Sequence, residues 1–220
     1  LDGSPPCSSF SLSGRREKTW GQERFFREGQ SKQHLDDLFF DFIQTASQLK
    51  PKIIIAENVK GLIQGNARGY VKQIFRKYNE AGYDTQLFLL NAANMGVPQY
   101  RERVFFISRR KDLKLNKLSF DFDEDQISIG EALKNIDDLG PTKKISKKIT
   151  TKELIQAQSF PVDYNFLKSK PSYVMGMSVP PFMIQRIGLE IAKQIWGINY
   201  NKHENGQFFP TKKRMKQNAA

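Results

Sequence analysis

The stretch Lys50-Pro51-Lys52-Ile53-Ile54-Ile55-Ala56-Glu57-Asn58 decides the fold. Lys50-Pro51 ends the helix before it, because the residue preceding a proline is pushed out of the helical region. Ile53-Ile54-Ile55-Ala56 is short, continuously apolar and mostly β-branched, which suits a strand buried on both faces of a parallel sheet. Glu57 then falls at the carboxyl end of that strand, where the ligand sites of open α/β sheets collect. A carboxylate directly after Ile-Ile-Ile-Ala is badly placed for solubility alone. Working outward, Leu35, Leu38, Phe39, Phe42, Ile43 and Ala46 recur at helical spacing and predict a helix over about 35–49. Val71, Ile74, Phe75 and Tyr78 do the same over about 69–81, with Gly82 as the stop. Gln86–Leu90 and Val104–Ile107 read as two more strands. The Gly96-Val97-Pro98-Gln99 loop between them is too short for a crossover helix, so they should pair antiparallel. The class is α/β.

The chain has 220 residues, enough for one large domain, and its 35 Lys and Arg against 23 Asp and Glu give a formal charge of +12. Such an excess favours a polyanionic partner and says nothing of the fold. A single cysteine excludes an internal disulfide framework. No apolar run reaches the roughly 18 residues a membrane span needs, and no signal peptide is visible, so the expectation is a cytoplasmic protein without a membrane partner. No metal site is expected.

That cysteine stands in Asp2-Gly3-Ser4-Pro5-Pro6-Cys7-Ser8-Ser9-Phe10. Two prolines fix their own φ angles and extend the residues before them, so the thiol of Cys7 is mounted stiffly, as a nucleophile would be. A buried apolar cysteine is the other reading. Residues 11–34 are polar and broken by Gly14, Gly21 and Gly29, with basic residues including Arg15 and Arg16 interleaved with Trp20, Phe25 and Phe26. They read as a long mobile loop able to close on a phosphate backbone. Arg101 and Arg103 alternate on an extended segment and so project to one side, converging on a ligand or pairing with Glu102 or a neighbouring acid.

Beyond residue 110 the pattern weakens. Asp121–Asp125 is acidic, Ser128 and Glu131 form a capping box for a helix near 129–136, and Lys143, Lys144, Lys147 and Lys148 make a basic stretch. Thr150 and Glu153 form a second capping box, opening a helix that ends near Ser159-Phe160-Pro161. After Pro180-Pro181, the residues Ile184, Ile187, Ile191, Ala192 and Ile195 make a helical stripe to Trp196, and the basic tail beyond reads as disordered.

The Ser-Pro-Pro-Cys loop is followed in order by Ala56-Glu57-Asn58-Val59, by Gly96-Val97-Pro98-Gln99-Tyr100-Arg101-Glu102-Arg103, by Gln158-Ser159-Phe160-Pro161 and by Gly176-Met177-Ser178-Val179-Pro180-Pro181. In identity and order this series resembles the C5-type DNA cytosine methyltransferases, over residues 2 to about 196. The resemblance implies a Rossmann-like fold dependent on S-adenosylmethionine, and methylation of cytosine C5 in double-stranded DNA. The base would be flipped out of the duplex and attacked at C6 by Cys7, as in restriction-modification. Glu57 would face the Watson-Crick edge and Arg103 would complete the catalytic set, with Asn58, Gln99, Arg101, Arg15 and Arg16 as substrate contacts. Pro6, Leu38, Asn91, Ser178 and Val179 would contact the donor. The family's amino-terminal glycine-rich turn has no counterpart, since no Gly-x-Gly occurs anywhere. A truncated or split enzyme is therefore expected, with an incomplete fold and a second chain as a candidate source of the turn. Residues 1–110 and 151–197 would form the catalytic domain, 111–150 a reduced recognition region or linker, and 198–220 a basic tail. The alternative is a non-enzymatic DNA-binding remnant of such an enzyme.

Overall fold

The computed structural model describes residues 1–6, 37–64, 67–133, 149–161, 163–202 and 208–210. They belong to two compact units, Leu1–Asn91 with Arg101–Lys117, and Ala92–Tyr100 with Leu118–Ala220.

The first unit is a four-stranded sheet with helices. Its elements are β1 (Asp2–Gly3), α1 (Leu38–Leu49), β2 (Ile53–Val59), α2 (Arg68–Glu80), β3 (Tyr83–Asn91) and β4 (Glu102–Arg110), and the strand order is β1-β2-β4-β3. β1 and β2 are parallel, and β4 is antiparallel to both β2 and β3. The expected antiparallel pairing of the last two strands is found. The expectation of a wholly parallel setting for Ile53–Ala56 is corrected: its neighbour is parallel on one side only, because the short connection after β3 returns β4 into the gap between β2 and β3. Ile53, Ile54, Ala56, Glu57 and Asn58 are nevertheless all buried, so both faces of β2 are covered.

The predicted helices stand at 38–49 and 68–80. Lys50 closes α1 in the left-handed region, its N–H bonded to Ala46 O at 2.9 Å, and Pro51 prevents continuation. One face of the sheet, with Ile54, Ala56, Val104 and Phe106, packs against Phe39, Ile43 and Ala46 of α1 and Tyr70, Ile74 and Tyr78 of α2. Phe39 is its centre, meeting Tyr70, Tyr78 and Phe106 edge-on with ring centroids 6.4, 6.4 and 5.4 Å away. Gly3 permits α1 to close over β1, since a Cβ there would lie 2.6 Å from the ring of Phe42.

The second unit holds a 3-10 turn at Ala92–Met95, α3 (Ile129–Ala132), α4 (Thr151–Ala157), α5 (Pro171–Met177), α6 (Pro181–Trp196) and a hairpin of β5 (Tyr200–Lys202) with β6 (Phe208–Pro210). Both capping boxes form, with Ser128 and Glu131, and Thr150 and Glu153, each bonding reciprocally. The buried face of α6 is Met183, Ile187, Ile191 and Ala192; Ile184 and Ile195 of the expected stripe are only half-buried. The hairpin corrects the expectation that everything beyond Trp196 is disordered: Phe208 and Phe209 supply a strand that the lysine content around them masks. Among the described residues no helix is long and apolar enough to cross a membrane.

Phe39→Ala removes a fully buried ring from three edge-on contacts. The expected loss of unfolding free energy is about 3–5 kcal/mol, measured by urea denaturation, whereas the same change at the exposed Phe182 should cost far less.

Candidate active site

Because β1, β2 and β3 run the same way with β4 reversed between the last two, one edge of the sheet gathers three strand ends and one strand start. Ser4-Pro5-Pro6 leave β1 there, Glu57-Asn58-Val59 end β2, Asn91 ends β3, and Arg101-Glu102-Arg103 enter β4. Register places Val59 opposite Arg103 and Glu57 opposite Phe105, so Glu57 and Arg103 are diagonal neighbours on one face. Arg103 Nε lies 3.0 Å from Glu57 Oε1, with the two side chains 16% and 11% exposed. The two charges form an ion pair. Arg103 Nη1 donates to its neighbour's carbonyl, Glu102 O, at 2.8 Å.

Asn58 faces the other way and does a different job. Its Nδ2 donates to Pro5 O at 3.1 Å, and its Oδ1 accepts the N–H of Val59 at 2.9 Å. One residue on from the Gly3–Ala56 pair, the hydroxyl of Ser4 donates to the carboxylate of Glu57. The segment leading to Cys7 is thus tied to the end of β2 through both Glu57 and Asn58. Ser4 was not anticipated, and its role becomes visible only once β1 is paired with β2.

Burial is the largest influence on Glu57 and pushes its carboxyl up from the ordinary value; the Ser4 hydroxyl, Arg103 and Arg101 pull it partly back. Arg101 is brought down to about 10, first by burial and then by the like charge of Arg103, with Glu57 opposing. It remains a cation at neutral pH. Both arginines therefore converge on Glu57. Glu102 pairs with Lys60 Nζ at 2.7 Å, and the neighbouring acid that Arg103 pairs with is Glu57.

Of the remaining expected residues, Cys7, Arg15, Arg16 and Lys143–Lys148 lie outside the described residues. Asn91 accepts the backbone N–H of Arg101 on Oδ1 at 3.0 Å. Pro6 and Leu38 are half-buried; α1 joins two neighbouring parallel strands and so runs back against them, which puts its first residue at the same sheet edge. Gln99, Ser178 and Val179 belong to the second unit. Gln99 Oε1 is buried without a hydrogen-bond partner among the described residues, an acceptor that native proteins rarely leave unused. Ser178 gives its hydroxyl proton to Val174 O at 2.7 Å. No group of three or more His, Cys, Asp or Glu able to hold a metal occurs among the described residues.

The raised carboxyl of Glu57 sets a pH dependence of stability. A group whose pKa is higher folded than unfolded favours the fold fully below its unfolded value, and that contribution is lost as pH rises through the folded value. Glu57→Gln cannot titrate. Urea denaturation between about pH 4 and pH 8 should therefore show the variant gaining stability relative to the parent as pH rises; a difference independent of pH would contradict the burial of the charge.

Residues 1–146 match the family model described as C-5 cytosine-specific DNA methylase. The Type II methyltransferase M.FnuDI of Fusobacterium nucleatum is 37% identical over 120 residues, covering 54% of this chain and 31% of its own length. M.NgoFVII of Neisseria gonorrhoeae, also a Type II methyltransferase, is 30% identical over 192 residues, 80% of this chain and 46% of the relative. The chain thus spans less than half the length of these relatives. Among solved structures, a DNMT2 variant of Spodoptera frugiperda superposes with a TM-score of 0.57 at 18% identity, over 84% of this chain and 77% of that one. The Entamoeba histolytica methyltransferase EhMeth gives 0.50 at 15% identity, over 87% and 76%. These two likenesses bear on the fold, and they identify the four strands and their helices as part of a Rossmann-like α/β methyltransferase fold. With two thirds of its residues matched by one family model, the chain belongs to the C-5 cytosine-specific DNA methylases.

Proposed function

We propose that this chain carries the pyrimidine-binding part of a DNA cytosine C5 methyltransferase that acts through a covalent cysteine adduct. The observation that carries this reading is the buried Glu57–Arg103 pair, joined by Arg101, at the sheet edge from which the chain departs toward Cys7. Cytosine C5 is a poor nucleophile. Addition of the Cys7 thiolate to C6 drives electron density toward C5 and N3, and a neutral Glu57 hands its proton to N3 as that charge builds. Burial favours that neutral form, which is why a raised carboxyl suits the task. Arg103 and Arg101 keep their charge when desolvated, and a planar guanidinium fork can hold O2 of the ring or a flanking phosphate. Once C5 carries the methyl group, loss of the C5 proton to solvent water, return of the N3 proton to Glu57 and departure of the Cys7 thiolate restore the aromatic ring. Neither Cys7 nor Glu57 could reach a stacked base, so the cytosine is flipped out of double-stranded DNA.

S-adenosylmethionine, when bound, supplies the electrophilic methyl carbon. Its expected contacts fit in part: Pro6 and Leu38 offer half-buried apolar surface at the sheet edge where such ligands collect, and Asn91 ends a strand there. Ser178 and Val179, both half-buried, belong to the second unit. A second polypeptide bearing a glycine-rich turn would complete the donor site if this chain is one piece of a split enzyme.

The test uses duplex DNA containing 5-fluorocytosine, with S-adenosylmethionine, and with the chain both alone and mixed with a polypeptide carrying the glycine-rich turn. Fluorine at C5 cannot leave as a proton does, so the thioether should persist as a covalent complex on a denaturing gel, mapped to Cys7 by mass spectrometry. Cys7→Ser should abolish it. An adduct that forms equally well in Cys7→Ser refutes the nucleophile, and DNA binding with no adduct in either mixture supports the non-enzymatic alternative.

A further inference from the structure

We propose that Lys60 and Glu102 act as a positioning pair for the Glu57–Arg103 site, bolting the end of β2 to the start of β4 from the opposite face of the sheet. The inference rests on the function proposed above and adds residues which that mechanism does not use. Val59 and Arg103 form the last paired rung of the two strands, and Lys60 and Glu102 are the next residues on either side of it. Their side chains meet at 2.7 Å, 34% and 25% exposed. Alternation puts Lys60 and Glu102 on the face of Asn58 and Val104, while Glu57 and Arg103 lie on the other. Neither member touches the Glu57 carboxylate, and both hold the backbone that presents it.

A half-exposed ion pair contributes little to global stability, typically about 0–1 kcal/mol, so its placement is poorly explained as a stabilising device. Its effect is local. Glu57 and Arg103 are diagonal across the strands, so fraying of the final rung lengthens their contact directly. Arg103 Nε meets Glu57 Oε1 at 3.0 Å across one rung of the ladder, so the strand register sets that distance. Lys60 also begins the 3-10 turn Lys60–Ile63, whose Gly61 and Leu62 are buried, so the anchor reaches firm structure on the β2 side.

The variants are Lys60→Met, Glu102→Gln and the exchange Lys60→Glu with Glu102→Lys, made in the full chain and checked for folding by circular dichroism. Lys60→Arg, which keeps charge and reach, is the conservative control, and Lys60→Gln replaces Lys60→Met if that variant does not fold. Two readouts are taken: steady-state methylation, and the titration of the Glu57 carboxyl carbon by NMR with Glu57→Gln as the assignment control. The groups facing Glu57 are Ser4, just after β1, Arg101, just before β4, and Arg103 in β4, and none of them is changed. If the pair positions the site, both single variants open the edge to water and move the Glu57 titration the same way, downward, while the exchange and Lys60→Arg restore it. kcat should fall about ten- to a hundredfold in the single variants with the KM for DNA little changed, and recover in the exchange. If the pair acts only as distant charge, Lys60→Met raises the titration and Glu102→Gln lowers it, with no recovery in the exchange. That outcome, or no movement in either variant, overturns the proposal. Methylation is measured with the polypeptide carrying the glycine-rich turn present; if the parent shows none even then, the proposed function fails while the titration still decides the positioning role.

Discussion

A carboxyl group kept out of water beside two guanidinium groups is the constraint on which the rest of the first unit depends. Left alone, a buried carboxylate is costly, and two arginines crowded together are costly as well, since each disfavours the other's charge. Brought together at the sheet edge, they offset one another without reaching balance: burial still outweighs the arginines at Glu57, and Arg101 is still drawn down. A site in that condition is held by its surroundings. Here the surroundings are the β2–β4 register on one side and the core around Phe39 on the other.

The strand order follows from the same requirement. A parallel strand beside β2 would deliver its carboxyl end to the edge, after its apolar run, as β2 does. An antiparallel strand delivers its beginning, so arginines that precede an apolar run arrive at the edge while Val104-Phe105-Phe106-Ile107 fills the sheet behind them. The reversal of β4 is therefore what allows Glu57, which ends an apolar strand, to meet Arg103, which opens one.

Local sequence made the strands of the first unit legible to the extent that they had a pattern. Ile53–Ala56 and Val104–Ile107 are continuous apolar runs, the helices have a 3.6-residue period, and both capping boxes announce themselves. β1 does not, because two residues have no period, and Asp2-Gly3 becomes a strand only through its pairing with Ile55 and Ala56. For the same reason Glu57, Asn58 and Arg103 could be proposed from their place in the motifs, but Ser4 could not. Its contact depends on the β1–β2 register, which no stretch of either strand encodes alone. The Lys60–Glu102 pair joins residues 42 apart in the chain, and only the antiparallel ladder makes them neighbours. α5 was missed because a seven-residue helix opened by Pro171 and containing Gly176 lacks the length for a periodic signal.

The adjacency of Glu57 and Asn58 has a physical reason in the period of a strand. Two successive residues point to opposite faces, so one strand end can serve two partners with no extra backbone. Glu57 is turned to the face where Ser4 and Arg103 wait, and Asn58 to the face where Pro5 O is within 3.1 Å. The proline pair narrows the conformations of the departing chain, and the Asn58 amide fixes where that narrowed chain begins. Lengthening this connection by one residue, or shifting β1 by one rung, would place Ser4 opposite the wrong face and remove both ties together. A nucleophile borne on a freely moving loop would have to be located anew for every base. In the mechanism proposed above, the nucleophile would follow a segment whose last described residues are tied to the strand of the proposed acid, so much of that search would already be done.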